Sequence, residues 1–466
     1  MLRIAVTGPP GAGKTTLLTR LAVWTEARSR RVTGLVAHAE GERGPGAARY
    51  VLEVLPEGTR TLLAEREGSG YHFHETGWIA ARTWAERLAG GPRPHLLVLD
   101  ELGRLEARGG GLAPLWPSVV AARPSLVVAS VREDVLAEVE AQLGASFDRV
   151  VRADAPDAEE TLQALCLEFD DWARVGLFGA GAGGIEATVG AALHGGIVPA
   201  RGLLLSSTQA GVMTEAARGL GRRSRVVWVA FLSAGLKALS PAGSRLRPML
   251  AIAMQGLLFG SGVGVLGWSV PGVFVAGALV GSWAALQGIA LQWLLVGDEL
   301  LRAYEAVAAF AEAHLGLGLP GLVVLLALMG AAYAAVTGTT ALVVYRAGRL
   351  PARVQQALER GPGRIPAPPT PGRRAALRAG AADLVRPGFW VPIALVLLIL
   401  ALSGSPAERL AWTAMRALTV GFLLLAGVRL IAPQRLLDAL RRRGVWGPAV
   451  ALSEALARRA EPPRTT

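Results

Sequence analysis

Cysteine is almost missing from this chain of 466 residues: Cys166 is the only one. That excludes an internal disulfide framework and any zinc or iron–sulfur site built from several thiolates. Lysine is nearly as scarce, with only Lys14 and Lys237, so the N-K-x-D sequence with which G proteins read guanine cannot be formed. Charged residues make up 18%, against roughly 25% in soluble domains. The N-terminus lacks a basic stretch followed by an apolar run, so no secretory signal peptide is expected. In place of charge the chain has 58 glycines and 52% hydrophobic residues, with a mean hydropathy of +0.40. Such a balance points to a membrane protein, at least in part.

The net charge of +12 is unevenly held. Residues 1–174 carry 20 Lys/Arg against 24 Asp/Glu, and residues 175–466 carry 28 against 12, giving −4 and +16. The basic excess lies in the apolar part, where short Arg-rich loops mark the cytoplasmic side of a bilayer. A nucleic-acid footprint needs basic residues clustered on a soluble face beside a recognition motif. None is found, and no nucleic-acid partner is expected.

The chain divides near residue 172. Before it, short apolar runs alternate with charge-bearing helical stretches: Leu2–Thr7, Val32–Ala37, Leu96–Asp100, Ser125–Val131 and Arg149–Arg152. This predicts an α/β domain over residues 1–172, a parallel sheet with crossover helices. Tyr50–Leu55 and Thr59–Ala64, flanking Pro56-Glu57-Gly58, predict an inserted hairpin.

After residue 172 the runs lengthen, predicting an all-α polytopic domain of about eight membrane spans, at 175–193, 196–215, 226–240, 248–268, 271–296, 320–345, 388–403 and 411–428. Pro271–Val296 and Pro320–Tyr345 hold 26 residues each, about 39 Å of helix against a hydrocarbon core of about 30 Å. The first three spans are short or Gly-rich, interrupted by Glu186, Arg201 and Lys237. The expected organisation is a six-span domain over 173–345, a basic Pro/Gly-rich linker over 346–387, and a two-span hairpin with a basic tail over 388–466. With the N-terminal domain inside, this count puts 216–225, 346–387 and the tail bearing Arg441-Arg442-Arg443 in the cytoplasm, and the acidic 297–319 loop outside. Arg245 and Arg247 fall outside, against the trend. The expected location is the cell (inner) membrane, with both termini cytoplasmic.

Gly8-Pro9-Pro10-Gly11-Ala12-Gly13-Lys14-Thr15 fits G-x-x-x-x-G-K-[ST], between an apolar strand and the helical stretch that starts at Thr16. Glycines let such a loop curl so that backbone N–H groups face phosphate oxygens, aided by the helix N-terminus. Lys14 is expected to reach the β/γ-phosphates and Thr15 to ligate Mg²⁺. The second half of the site is expected at Leu96-Leu-Val-Leu-Asp100-Glu101. There Asp100 holds Mg²⁺ through water and Glu101 orients or deprotonates the attacking water. Arg132, after an apolar strand, is a candidate internal arginine finger or else a surface residue. No L-S-G-G-Q-like signature lies between residues 15 and 96, so an ordinary ABC ATPase is excluded, while a small-molecule kinase stays open.

Thr7-Gly-Pro-Pro-Gly-Ala-Gly-Lys-Thr-Thr16, Leu96-Leu-Val-Leu-Asp-Glu-Leu-Gly-Arg-Leu-Glu106, Gly109-Gly-Gly-Leu-Ala-Pro114 and Ser130-Val-Arg132 together resemble the cancer-related (thermophilic-type) nucleoside-triphosphatases. The resemblance covers about residues 1–170. It implies a RecA-like α/β P-loop fold and slow hydrolysis of ATP, GTP and other nucleoside triphosphates. It also implies phosphate and magnesium binding by Gly13, Lys14, Thr15 and Thr16, with Asp100 and Glu101 as the catalytic acidic pair. It is loosest over Gly34–Tyr50, leaving base recognition open.

His72 and His74 could form a metal pair, or simply share one face of an extended segment; Cys166 reads as core. Glu186 and Lys237 read either as an intramembrane pair or polar solute site, or as two groups at membrane interfaces. Gly179/Gly183 and Gly256/Gly260 suggest close helix packing. Residues 175–345 faintly resemble the substrate-binding subunit of energy-coupling-factor vitamin transporters, and Leu418–Arg459 resembles the C-terminal part of their coupling subunit. Three functions follow: an NTPase coupled to solute uptake or another membrane event, a nucleotide switch regulating the membrane part, or a membrane-bound small-molecule kinase. The partners implied are a nucleoside triphosphate, the lipid bilayer, a small solute, and further copies or transporter subunits.

Overall fold

The computed structural model describes residues 1–41, 48–68, 70–195, 201–237, 246–316, 318–360, 372–430 and 433–460. These fall into two units, Met1–Asp170 and Asp171–Thr466.

Unit 1 holds eight strands: β1 (Leu2–Thr7), β2 (Val32–Glu40), β3 (Arg49–Leu55), β4 (Thr59–Glu67), β5 (Gly70–Phe73), β6 (Leu96–Leu102), β7 (Leu126–Val131) and β8 (Arg149–Arg152). They form one sheet in the order β5-β4-β3-β2-β6-β7-β1-β8. From β2 to β8 the pairs are parallel; from β2 to β5 they are antiparallel. The uninterrupted apolar runs explain the parallel part: β7 is buried at every residue, as a strand covered on both faces requires. The hairpin expected around Pro56-Glu57-Gly58 is β3–β4, and β5 extends it by a strand.

The helices of unit 1 are α1 (Lys14–Glu26), α2 (Glu75–Gly90), α3 (Arg104–Ala107), α4 (Trp116–Ala122), α5 (Leu136–Leu143) and the first part of α6 (Ala158–Gly195). Ala81, Trp84, Ala85 and Leu88 of α2 join Leu35, Leu97 and Val127 of the sheet in one apolar core. Cys166 lies in α6, 3% exposed. Burial, with Asp170 adding to it, pushes its thiol up to about 12.

Unit 2 is helical: α7 (Arg201–Arg218), α8 (Val226–Lys237), α9 (Leu246–Leu266), α10 (Val270–Val296), α11 (Glu299–Leu315), α12 (Leu319–Ala347), α13 (Ala352–Arg360), α14 (Arg373–Leu384), α15 (Pro387–Leu402), α16 (Ala407–Leu430), α17 (Pro433–Arg442) and α18 (Trp446–Ala460). Among the described residues, four helices are long and apolar enough to cross a membrane: α9, α10, α12 and α16. A fifth candidate is α14 with α15, bent by 48° where they meet. The count of eight is thereby corrected. The described part of the expected span at 226–240 is α8, 12 residues or about 18 Å, well short of the core. Within 196–215, residues 196–200 lie outside the described ones. The remainder is α7, whose Arg201, Gln209, Glu215 and Arg218 make it too polar. Residues 175–193 lie within α6, whose side chains are described only as far as Glu186.

The stretch expected as an outside loop at 297–319 contains α11. Part of the stretch expected as a linker at 346–387 is helical, and Asp383 of α14 accepts two hydrogen bonds from Arg429 of α16, at 2.8 and 2.9 Å. Residues 361–371 of that stretch lie outside the described residues. Both small-residue pairs named above pack against α8: Gly179 and Gly183 face Leu232 and Leu236, and Gly256 and Gly260 face Ala230 and Val227. A third pair, Gly277 and Gly281 of α10, lies against Tyr333, Thr337 and Gly338 of α12, so close that a Cβ would collide with backbone. On α12, Leu325 and Leu328 are each 63% exposed, an apolar surface that water solvates poorly.

Candidate functional site

Because β1, β6 and β7 run parallel and adjacent, their C-terminal ends meet at one edge of the sheet, where open α/β sheets bind ligands. The loop Gly8–Gly13 leaves β1 there, Asp100 and Glu101 sit at the end of β6, and Ser130 and Arg132 at the end of β7. Gly11 and Gly13 have φ of 79° and 84°, left-handed values that a side chain at Cβ would strain. Gly13 is also the N-cap of α1, and no side chain caps the helix or adds an acid to its first turn. The first-turn N–H groups lack intrahelical partners, and Lys14, Thr15 and Thr16 occupy that turn. Lys14 folds back, its Nζ donating to Gly8 O at 2.9 Å and Pro9 O at 3.1 Å. Pro9, Pro10 and Thr16 are exposed, and Ala12 donates its N–H to Pro9 O at 3.2 Å.

The acidic half depends on a break in a strand. The β6–β7 ladder loses register between Leu99 and Leu102, and Glu101 takes a φ of 63°, costly for a residue with a Cβ and typical of functional positions. Asp100 stays at 2% exposure. Its Oδ1 accepts from Ser130 Oγ at 2.5 Å and from the Glu101 N–H at 3.0 Å, and its Oδ2 accepts from the Ala37 N–H at 3.2 Å. Thr15 adds a side-chain hydrogen bond, which ties the phosphate-type loop to β6. Burial raises the Asp100 carboxyl, and these four bonds oppose the rise.

Glu101 keeps an open edge to solvent. Even so, the chain packed around it pushes its carboxyl above the ordinary range. Asp100 adds to the shift, while Lys14 and Arg132 oppose it. Arg132 is exposed and engaged, its guanidinium donating to Asp134 at 3.1 and 3.4 Å. That pairing, shared with Arg104, holds the Asp134 carboxyl below its usual value.

Three participants go unassigned by sequence reasoning. Ser130 bridges Asp100 and the Glu101 N–H; its signal is a lone hydroxyl in an otherwise apolar strand. Glu106, 4% exposed, accepts from the Gly103 and Leu112 N–H groups at 2.8 and 3.0 Å, so the last acid of the D-E-L-G-R-L-E stretch clamps the glycine turn behind the site. Tyr50 stacks edge-on to Tyr71 at 5.3 Å. Burial, then the nearby Glu101, pushes its hydroxyl up to about 12. Nothing in the sequence signals this, because β3 and β5 meet only through β4. His72 lies in β5 and His74 caps α2; their rings are 5.2 Å apart, and His74 pairs with Glu65 at 3.4 Å. Among the described residues no group of three or more His, Cys, Asp or Glu side chains could hold a metal ion.

Known proteins resemble this unit. Residues 3–149 match the family described as NTPase. Over 171 residues the chain is 26% identical to the nucleoside-triphosphatase THEP1 of Metallosphaera sedula, spanning 32% of this chain and 92% of that protein. The solution structure of a human cancer-related nucleoside triphosphatase aligns at 17% identity and a TM-score of 0.27, covering 35% of this chain and 95% of that one. By the family match the chain carries a nucleoside-triphosphatase domain and is an enzyme of that class. The match ends at residue 149, so the role of unit 2 rests on its own residues.

Proposed function

We propose that the chain is a membrane-anchored enzyme that hydrolyses ATP or GTP with Mg²⁺ and couples this to solute transport or another membrane event. The observation that carries the catalytic part is the break at the end of β6. It sets Glu101 under the influence of Lys14 while Asp100 is hydrogen-bonded to Thr15. In this reading Lys14 exchanges Gly8 O and Pro9 O for β/γ-phosphate oxygens, beside the first-turn N–H groups of α1. Glu101 orients a water against the γ-phosphorus and accepts its proton; the bond to the β-phosphate oxygen breaks, giving a nucleoside diphosphate and phosphate. Its raised carboxyl makes it a stronger base than an ordinary glutamate. Arg132, on leaving Asp134, faces the developing charge. The fit to a metal is a hydroxyl beside a buried carboxylate, Thr15 and Asp100. Mg²⁺ held directly by the first and through water by the second would neutralise phosphate charge.

Membrane anchoring is supported by the four long apolar helices α9, α10, α12 and α16 and by the exposed leucines of α12. The full-length protein, purified in detergent, should release phosphate from ATP or GTP with Mg²⁺ and no other acceptor present. Phosphate appearing only with an added hydroxylated acceptor would favour the kinase reading. Binding without turnover would favour the switch.

A further inference from the structure

Unit 2 contains a cavity of about 350 Å³ between α6, α7, α9 and α10, within the size range of small-molecule sites. Its lining is unusual for helices this apolar. Gln209, Gln255 and Gln287 supply three carboxamides, and Ser206 supplies a hydroxyl. Gln255 spends its amide on Ser206, donating to Oγ at 2.9 Å. The Nε2 of Gln209 and the Oε1 of Gln287 are buried with no hydrogen-bond partner, although Gln209 is only 9% exposed. Leaving such atoms unpaired is unfavourable, and a ligand with its own polar groups would relieve both.

The charges give the ligand its sign. Glu186, also in the lining, is 3.7 Å from Lys237 Nζ, which donates to the Glu186 backbone oxygen at 3.1 Å as well. That carboxylate is already offset. Arg201 and Arg247 line the same cavity, and neither has an ion-pair partner among the described residues. Arg247 runs along α10 beside Gly288, where a Cβ would come within 3.0 Å of its guanidinium. The cavity therefore combines two guanidiniums, carried by exposed residues and without an ion-pair partner among the described residues, with two buried carboxamide atoms that lack a partner.

We propose that this cavity binds a small organic anion, a carboxylate or similar group held by Arg201 and Arg247 with its polar remainder on Gln209 and Gln287. The site goes beyond the nucleotide reading and depends on no residue of unit 1.

The test uses full-length protein in a Cys166→Ser background with Gln209→Cys, and separately with Gln287→Cys in case one variant fails to fold. Each thiol is reacted with the anionic reagent sulfonatoethyl methanethiosulfonate and the cationic trimethylammonioethyl methanethiosulfonate, both normalised to their rates with 2-mercaptoethanol. The anionic reagent should react about tenfold faster or more, as fixed charge around a confined site does to encounter rates. Adding Arg201→Gln and Arg247→Gln should bring the ratio close to one. A ratio near one in the parent, a ratio that the arginine substitutions leave unchanged, or no reaction at either thiol in folded protein would overturn the proposal. The measurement needs no nucleotide and should read the same with Lys14→Ala, so its failure is distinct from failure of the hydrolase reading.

Discussion

Ser130 Oγ lies 2.5 Å from Asp100 Oδ1, donating to it, and also accepts the Glu101 N–H at 2.8 Å. One hydroxyl on β7 thus holds both the Asp100 carboxylate, near the C-terminal end of β6, and the backbone N–H of the next acid. The parallel register, with Leu99 opposite Ala129, brings Ser130 beside this break.

Ser130→Ala should therefore disturb catalysis without touching the nucleotide. Removing the hydroxyl leaves a buried acceptor on Asp100 short of a donor, at a cost of about 1–3 kcal/mol. We expect a lower melting temperature and a fall in kcat with KM little changed. An unchanged kcat would show that Glu101 is aimed by something else.

Lys14→Ala should abolish nucleotide binding or reduce turnover by about a hundredfold or more, the usual cost of losing a preorganised charge at the reacting phosphate. No other lysine or arginine lies in the loop Gly8–Thr15. Phosphate release at the wild-type rate from this variant would sink the assignment.

Glu101→Gln should keep Mg²⁺-nucleotide binding and lose about 10²–10⁴-fold in kcat, the scale of general-base catalysis. Loss of binding instead, read by equilibrium dialysis, would make Glu101 a structural residue. In the wild type, activity should fall on acidification through a carboxyl pKa above the ordinary glutamate value of about 4.3.

The same residue makes a stability prediction of definite sign. A carboxyl whose folded-state pKa is raised binds protons more tightly folded than unfolded, so stability falls as pH rises from the unfolded pKa through the folded one. Glu101→Gln removes that loss. The melting temperature of the variant relative to wild type should rise across this interval and be flat below about pH 4. A difference of the opposite slope would contradict the raised pKa of Glu101.

Gly281→Leu should break the packing of α10 on α12. A side chain there meets the Tyr333 backbone, and overpacking costs about 1–3 kcal/mol or more. Gly264→Leu on α9, with nothing within 4 Å of its Cβ position, is the control. Equal thermal stability of the two in detergent would show that the α10–α12 contact does not limit unit 2.

Much of unit 1 was legible in residue order, because its signals are local. Strand β1 running into Gly8–Thr15 is a contiguous pattern, and the hairpin carried its own Pro-Glu-Gly turn. Asp100-Glu101 stood out as acids closing an apolar run. The number of membrane spans was less legible. Hydropathy marks a helix as apolar but does not say whether a neighbour or lipid covers it. Thus α8, packed on Gly179, Gly183, Gly256 and Gly260, reads like a short span. The sequence alone determined where the Gly8–Thr15 loop, the Asp100-Glu101 pair and the long apolar helices lie, since each depends on a few consecutive side chains. Only the tertiary structure decided that Ser130 serves Asp100, that Tyr50 comes near enough to Glu101 to feel its charge, and that Gln209, Gln287, Arg201 and Arg247 share one cavity. Those residues are far apart in the chain, and only strand register and helix packing bring them together.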